Sequence, residues 1–183
     1  GIAVKFLLCL GLALQMRALF AQQASAVEPD KLVRNVVEDV MKTVKGDPDM
    51  QAGDIKKIQQ LVETKILPNA DFRKATAQAM GHSWNQATAE QQAQILKEFK
   101  VLLIRTYAGA ISQIRDQTVE FKPLRANPED IMVTVRTGVI NHGENVPINY
   151  RLYKTCDNPK ESPKTCTQFS WKVVDINVLG AWL

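Results

Sequence analysis

Histidine is almost missing from this chain: His82 and His142 are the only two in 183 residues. His82 follows Gly81 at a predicted helix end and His142 lies in a predicted hairpin tip. Neither has a Ser, Cys or Asp partner at a spacing that suggests a triad. The sequence has no phosphate-binding glycine loop, no dinucleotide turn and no metal motif, so no metal and no cofactor are expected. Cysteine is scarce too, with only Cys9, Cys156 and Cys166. Two cysteines ten residues apart with no nearby histidine cannot complete four zinc ligands. Blocks of one charge sign are absent, and 23 basic against 19 acidic residues leave a net of +4. Nucleic acid is therefore not an expected partner. There are no internal repeats and no low-complexity stretches. The remainder is ordinary for a globular domain: 45% hydrophobic, 23% charged, and long enough to bury one core.

The first 26 residues differ from the rest. Lys5 precedes an apolar run from Phe6 to Leu14, and Ala24-Ser25-Ala26 places small residues at cleavage spacing. Residues 1–26 read as a secretory signal peptide, too short for a membrane span. The competing reading is an N-terminal buried helix. Lys5 and Arg17 are the only charges there, so residues 27–183, the single predicted domain, hold 21 basic and 19 acidic residues. Cys156 and Cys166 remain as an even pair in an exported chain, the usual setting for a disulfide. Its expected role is structural, closing a loop, in preference to redox chemistry.

Four helices are predicted in the first two thirds. Glu28 to Lys45 has Leu32, Val36 and Val40 on one line, Val33, Val37 and Val44 beside it, and Gly46 as a stop. Asp47 to Gly53 reads as a loop. Asp54 caps a helix ended by Pro68, and Asp71 caps a shorter one with Phe72, Ala75, Ala79 and Met80 turned inward and Gly81 beyond its end. Trp84 falls in the connection that follows. Thr88 to Ile114 is the longest helix, opened by a Thr88–Gln91 capping box and bearing two adjacent apolar lines. Its stripe is wide enough to lie on a sheet or in a globular core.

After Gln117 the apolar period changes from 3.6 to 2. Strands are expected around Val119–Phe121, from Ile131 to Ile140, from Val146 to Tyr153 and from Phe169 to Val178. The short links imply an antiparallel meander. The fold class is α+β, N-terminal helices and one long helix packed on a four-stranded sheet. The chain stops at Leu183 directly after a strand, and its C-terminal end reads as truncated.

Two features stand out chemically. Asp175 sits in an apolar strand next to Trp171, either as a base in a cavity or bonded to a neighbouring Arg or backbone N–H; the second is favoured. There is also apolar surplus in Val173, Val174, Ile176 and Val178 and in the two lines of the long helix. Composition alone favours a packed core over one hollowed for a ligand.

Several motifs alter that balance. Leu67-Pro68-Asn69-Ala70-Asp71-Phe72, Met80-Gly81-His82-Ser83-Trp84 and Ala87-Thr88-Ala89-Glu90-Gln91 resemble the MlaC family, the toluene-tolerance phospholipid-binding proteins. So do Leu102-Leu103-Ile104-Arg105-Thr106-Tyr107, Tyr150-Arg151 and Trp171-Lys172-Val173-Val174-Asp175. The family's last strand normally runs into Glu-Gly-Val-Ser, whereas Leu179-Gly180-Ala181-Trp182 keeps only the glycine. The resemblance implies an NTF2-like cone with a lipid cavity and a periplasmic carrier of glycerophospholipid, with no chemical step. Its implied partners are an inner-membrane ABC transporter with an MCE protein and an outer-membrane lipoprotein–porin complex. Acyl chains would enter between sheet and helices. Combining this with the alternation gives Tyr107 and Ile111 on the helix, Val133, Val135, Val146, Ile148 and Tyr150 on one face of the central strands, and Val174, Ile176 and Val178 on the last strand as lipid-binding residues. Phe72 and Trp84 are assigned to the structural core.

Two rivals remain open. One is a small isomerase- or hydratase-like enzyme on a similar cone with Asp175 as base. The other is an interaction module whose apolar surplus forms a protein interface.

Overall fold

A computed structural model describes residues 26–182. The signal-peptide assignment to residues 1–26 thus falls, except for Ala26, outside the described residues. Helix α1 spans Pro29–Lys45, with Asp30 in its first turn and Lys42 and Lys45 in its last, as the helix dipole favours. The stretch expected as a loop contains a short helix, α2 (Pro48–Gln51), because the Asp47 carboxylate accepts from the Asp49 and Met50 N–H groups. Helix α3 (Ile55–Leu61) is capped by Asp54 and continues as a π-helical turn over Val62–Ile66 and a 3₁₀ turn over Leu67–Asn69. Pro68 has no N–H to extend the ladder, so helix ends here. Helices α4 (Phe72–Met80) and α5 (His82–Gln86) meet at Gly81, whose φ of +57 suits a residue without a Cβ. Trp84 therefore lies on a helix, and it is buried. Helix α6 (Ala89–Ser112) opens with the complete Thr88–Gln91 capping box.

The strands are β1 (Thr118–Phe121), β2 (Met132–Asn141), β3 (Glu144–Cys156) and β4 (Phe169–Val178), followed by a two-residue β5 (Ala181–Trp182). They form one antiparallel sheet in sequence order. The β2–β3 link is a two-residue turn, His142-Gly143, and both residues have positive φ, 48 and 86. That matches the twist of a tight hairpin. Leu179-Gly180 makes a second such turn at the same end of the sheet. Cys156 and Cys166 form a disulfide at the other end, where Cys156 pairs with Phe169 across β3 and β4.

The α+β reading, helices laid against an antiparallel meander, stands. The helices divide the work differently from the expectation that the long helix covers the sheet. Helix α6 packs chiefly on α2, α3 and α4. Its Ile104 and Ala108 join Val44, Met50, Ile58 and Leu61 in a helical core. A second core belongs to the sheet: Val33 of α1 against Val133, Val135 and Leu152. Among the described residues, helix α1 alone contributes to both cores, its first half on the sheet and its second half among helices. The reason is its two apolar lines, which serve different neighbours at its two ends.

A second attachment lies at the free edge of β4. The Asp71 N–H donates to the Val173 carbonyl (2.9 Å), Ala70 bridges Val173, and Lys172 Nζ donates to the Pro68 carbonyl (2.6 Å). Covering this edge removes an open template for aggregation. Two inward assignments on α4 are corrected: Ala79 and Met80 are exposed, and Thr76 is the buried residue of that helix. Thr76 lies about 100° round the helix from Ala75, and it can be buried because its hydroxyl is returned to the Phe72 carbonyl (2.7 Å) and needs no polar neighbour elsewhere.

Candidate functional site

Strand register fixes which residues share a face, because directly opposed residues of an antiparallel pair project to the same side. Val133 faces Leu152, Val135 faces Tyr150, Thr137 faces Ile148 and Val139 faces Val146. On the other flank Tyr150 faces Ile176 and Ile148 faces Val178. Seven of the eight expected strand residues thus lie on one side by register: Val133, Val135, Val146, Ile148, Tyr150, Ile176 and Val178. Val174 is left out of that register by a β-bulge. Arg151 opposes Asp175 and Leu152 opposes Val173, which leaves Val174 as the extra residue. Val173 packs against the sheet core, and Val174 is nearly fully buried. The long apolar run in β4 comes from this bulge.

The rows differ in how they are filled. Val133, Val135 and Leu152 are closed over by Val33, and Tyr150 packs against that cluster. The rows toward the turns, Val139, Val146, Ile148, Ile176 and Val178, are half-buried and belong to neither core. Between them stands a polar pair. The Thr137 hydroxyl, buried, donates to the Ile148 carbonyl (2.7 Å), and Tyr150 is hydrogen-bonded to Thr137. Burial pushes the Tyr150 phenol up to about 12, with the Thr137 bond pulling weakly the other way. Sequence reading passed over Thr137 and Val139, although strict alternation along β2 puts both in line with Val133 and Val135.

The helix candidates separate. Ile111 packs against the helical core, and Tyr107 is half-buried on α6. Open clefts occur elsewhere: a groove of about 950 Å³ between α4–α5 and α6, bordered by Met80, Phe99 and Leu102, and one of about 420 Å³ between α1 and β1. None of the ten expected lipid-binding residues borders either of these two. Leu102, counted in the apolar stripe of the long helix, is 58% exposed at the first groove. Phe72 stacks on Phe99 at 5.9 Å and Trp84 is buried, in keeping with structural roles.

Asp175 and His82 are occupied. Asp175 accepts from Arg151 (3.2 Å) and from the Ile176 N–H (2.9 Å). Its register partner is Arg151, so it lies on the sheet face opposite Tyr150 and Ile176. His82 is exposed and bonded to Gln86 (3.2 Å), and His142 is exposed at the turn tip. Among the described residues no three His, Cys, Asp or Glu side chains are grouped to hold a metal ion. Among them, too, no helix is long and apolar enough to cross a membrane.

The model of the family described as MlaC protein matches residues 34–183. Among solved structures, the phospholipid-binding protein from Ralstonia solanacearum, in complex with a phospholipid, is 47% identical in sequence. The match has a TM-score of 0.73 and covers 87% of this chain and 80% of that one.

Proposed function

The chain belongs to the MlaC family, and from that premise we propose that it is a periplasmic carrier that shuttles glycerophospholipid between outer and inner membranes. The observation that supports this most directly is the phospholipid held by a relative 47% identical over most of both chains. The acyl chains lie along the half-buried rows of Val139, Val146, Ile148, Ile176 and Val178, with the helical layer above them. The cargo is moved and not transformed. Asp175 has a structural partner in Arg151 and faces away from those rows, which weighs against an enzyme using it as base.

Magnitudes explain the need for a carrier. Two acyl chains of roughly 15 methylenes each cost about 24 kcal/mol in water, at about 0.8 kcal/mol per CH₂. A sleeve as apolar as the bilayer makes transfer nearly thermoneutral. Direction then comes from partners: an inner-membrane ABC transporter with an MCE protein at one end and an outer-membrane lipoprotein–porin complex at the other. Headgroup discrimination is weak, because the tails hold most of the energy. The test is native mass spectrometry of the purified chain followed by organic extraction. The expected result is a mass increment that resolves into phospholipid. A lipid-free protein that also takes up none from vesicles overturns the reading.

A further inference from the structure

We propose that Tyr150 is a ruler: its ring is the floor against which the acyl chain ends, and it sets the chain length the protein accepts. This rests on the phospholipid reading above and adds to it a residue that selects among phospholipids. Below Tyr150 the inner face is solid, since Val133, Val135 and Leu152 are packed under Val33 and leave no room for hydrocarbon. Above it the rows of Ile148 and Val146 are half-buried and outside both cores. The boundary between the filled and the half-buried part of the face therefore falls at Tyr150 and Thr137, the latter still buried opposite Ile148. From Val146 to Tyr150 the path along β3 is about 14 Å at roughly 3.4 Å per residue.

The ring is held in place on two sides. It packs against the sheet core, and its hydroxyl is tied to Thr137, which is itself tied to the Ile148 carbonyl. A floor must resist a chain pressing on it, and a ring so anchored cannot swing aside without breaking a buried hydrogen bond. The Tyr–Thr pair also makes the floor polar at its tip. A methylene that passed it would part the buried Tyr150 hydroxyl from Thr137, while Thr137 keeps its bond to the Ile148 carbonyl.

The experiment uses the full chain and vesicles with equal amounts of dimyristoyl, dipalmitoyl and distearoyl phosphatidylglycerol. After incubation the protein is re-isolated, extracted, and the bound species are compared by mass spectrometry. Tyr150→Leu lowers the floor and moves the bound ratio toward the distearoyl lipid, by about fourfold for each methylene newly buried. Ile148→Phe, one row higher on a half-buried site, moves it toward the dimyristoyl lipid. Opposite shifts in the two folded variants support the ruler. A folded Tyr150→Leu with the wild-type ratio overturns it while lipid carriage itself stands. Should Tyr150→Leu not fold, Ile148→Phe decides alone, and an unchanged ratio overturns the proposal. Wild-type protein that takes up none of the three lipids instead removes the carrier reading on which it rests.

Discussion

Ile148 and Val135 share a sheet face, yet a charge placed on each does something different. Val135 is 1% exposed and enclosed by Val33 and Leu152, so Val135→Asp buries a carboxylate with no partner. Such a change costs several kcal/mol and threatens the fold. Ile148 is half-buried and outside both cores, so Ile148→Asp leaves the chain folded and lowers extractable lipid. Urea denaturation alongside lipid extraction separates the two; a folded Ile148→Asp with its full lipid complement would remove Ile148 from the site. Tyr150 offers a pH test. Its phenol is held protonated up to about 12, against an ordinary value of 10.0. The unfolded chain therefore loses that proton first. Stability from this group is complete below pH 10 and declines as pH rises toward about 12. Tyr150→Phe lacks this decline, so the urea-midpoint difference between wild type and variant changes across that window and is flat below it. At this scale the sequence identified the alternating residues, because period two is a local property. It passed over Thr137, whose role depends on Tyr150 and Ile148 being its neighbours across the strand.

Elements were most legible where local chemistry closes them. The α6 start was fixed by Thr88 and Gln91, which satisfy each other's backbone groups without help from the rest of the molecule. The ends of β4 matched the expected Phe169 and Val178, since polar or turn-forming residues flank both. Helices α2 and α5, the π-helical turn and β5 were not read, because each is short and held by caps or neighbours rather than by periodicity. The bulge at Val174 was equally hidden: an apolar run looks the same whether it reflects two buried faces or one inserted residue. The disulfide is the element-scale device with a measurable weight. Removing it by Cys156→Ser with Cys166→Ser reopens a ten-residue loop and costs roughly 3 kcal/mol on the chain-entropy estimate. Urea denaturation measures that loss. A double variant as stable as wild type would show that the β3–β4 register, not the cross-link, holds this end.

For the whole molecule, the telling arrangement is two cores joined through α1 and stitched again where Asp71 meets Val173. A single solid core would have no face left for cargo, whereas here one end of the sheet is closed by Val33 and the other keeps half-buried apolar rows. A carrier built this way speeds exchange without shifting its end point. Added to donor and acceptor vesicles of equal composition, the protein raises the rate of phospholipid transfer in proportion to its concentration, and the final distribution equals that reached without it. Fluorescent-lipid dequenching reads both. A rate independent of protein concentration would contradict carriage by the protein itself.

The sequence by itself determined the order of elements, the α+β class, the pairing of Cys156 with Cys166 and the face on which the strand valines and isoleucines align. These follow from caps, periods and spacings that act over a few residues. Only the tertiary structure decided that α1 rather than α6 joins the two cores, that Asp175 is turned to Arg151, and where the filled part of the sheet ends. Those outcomes depend on which surfaces meet across the molecule, and packing energy between distant segments leaves no local trace in the chain.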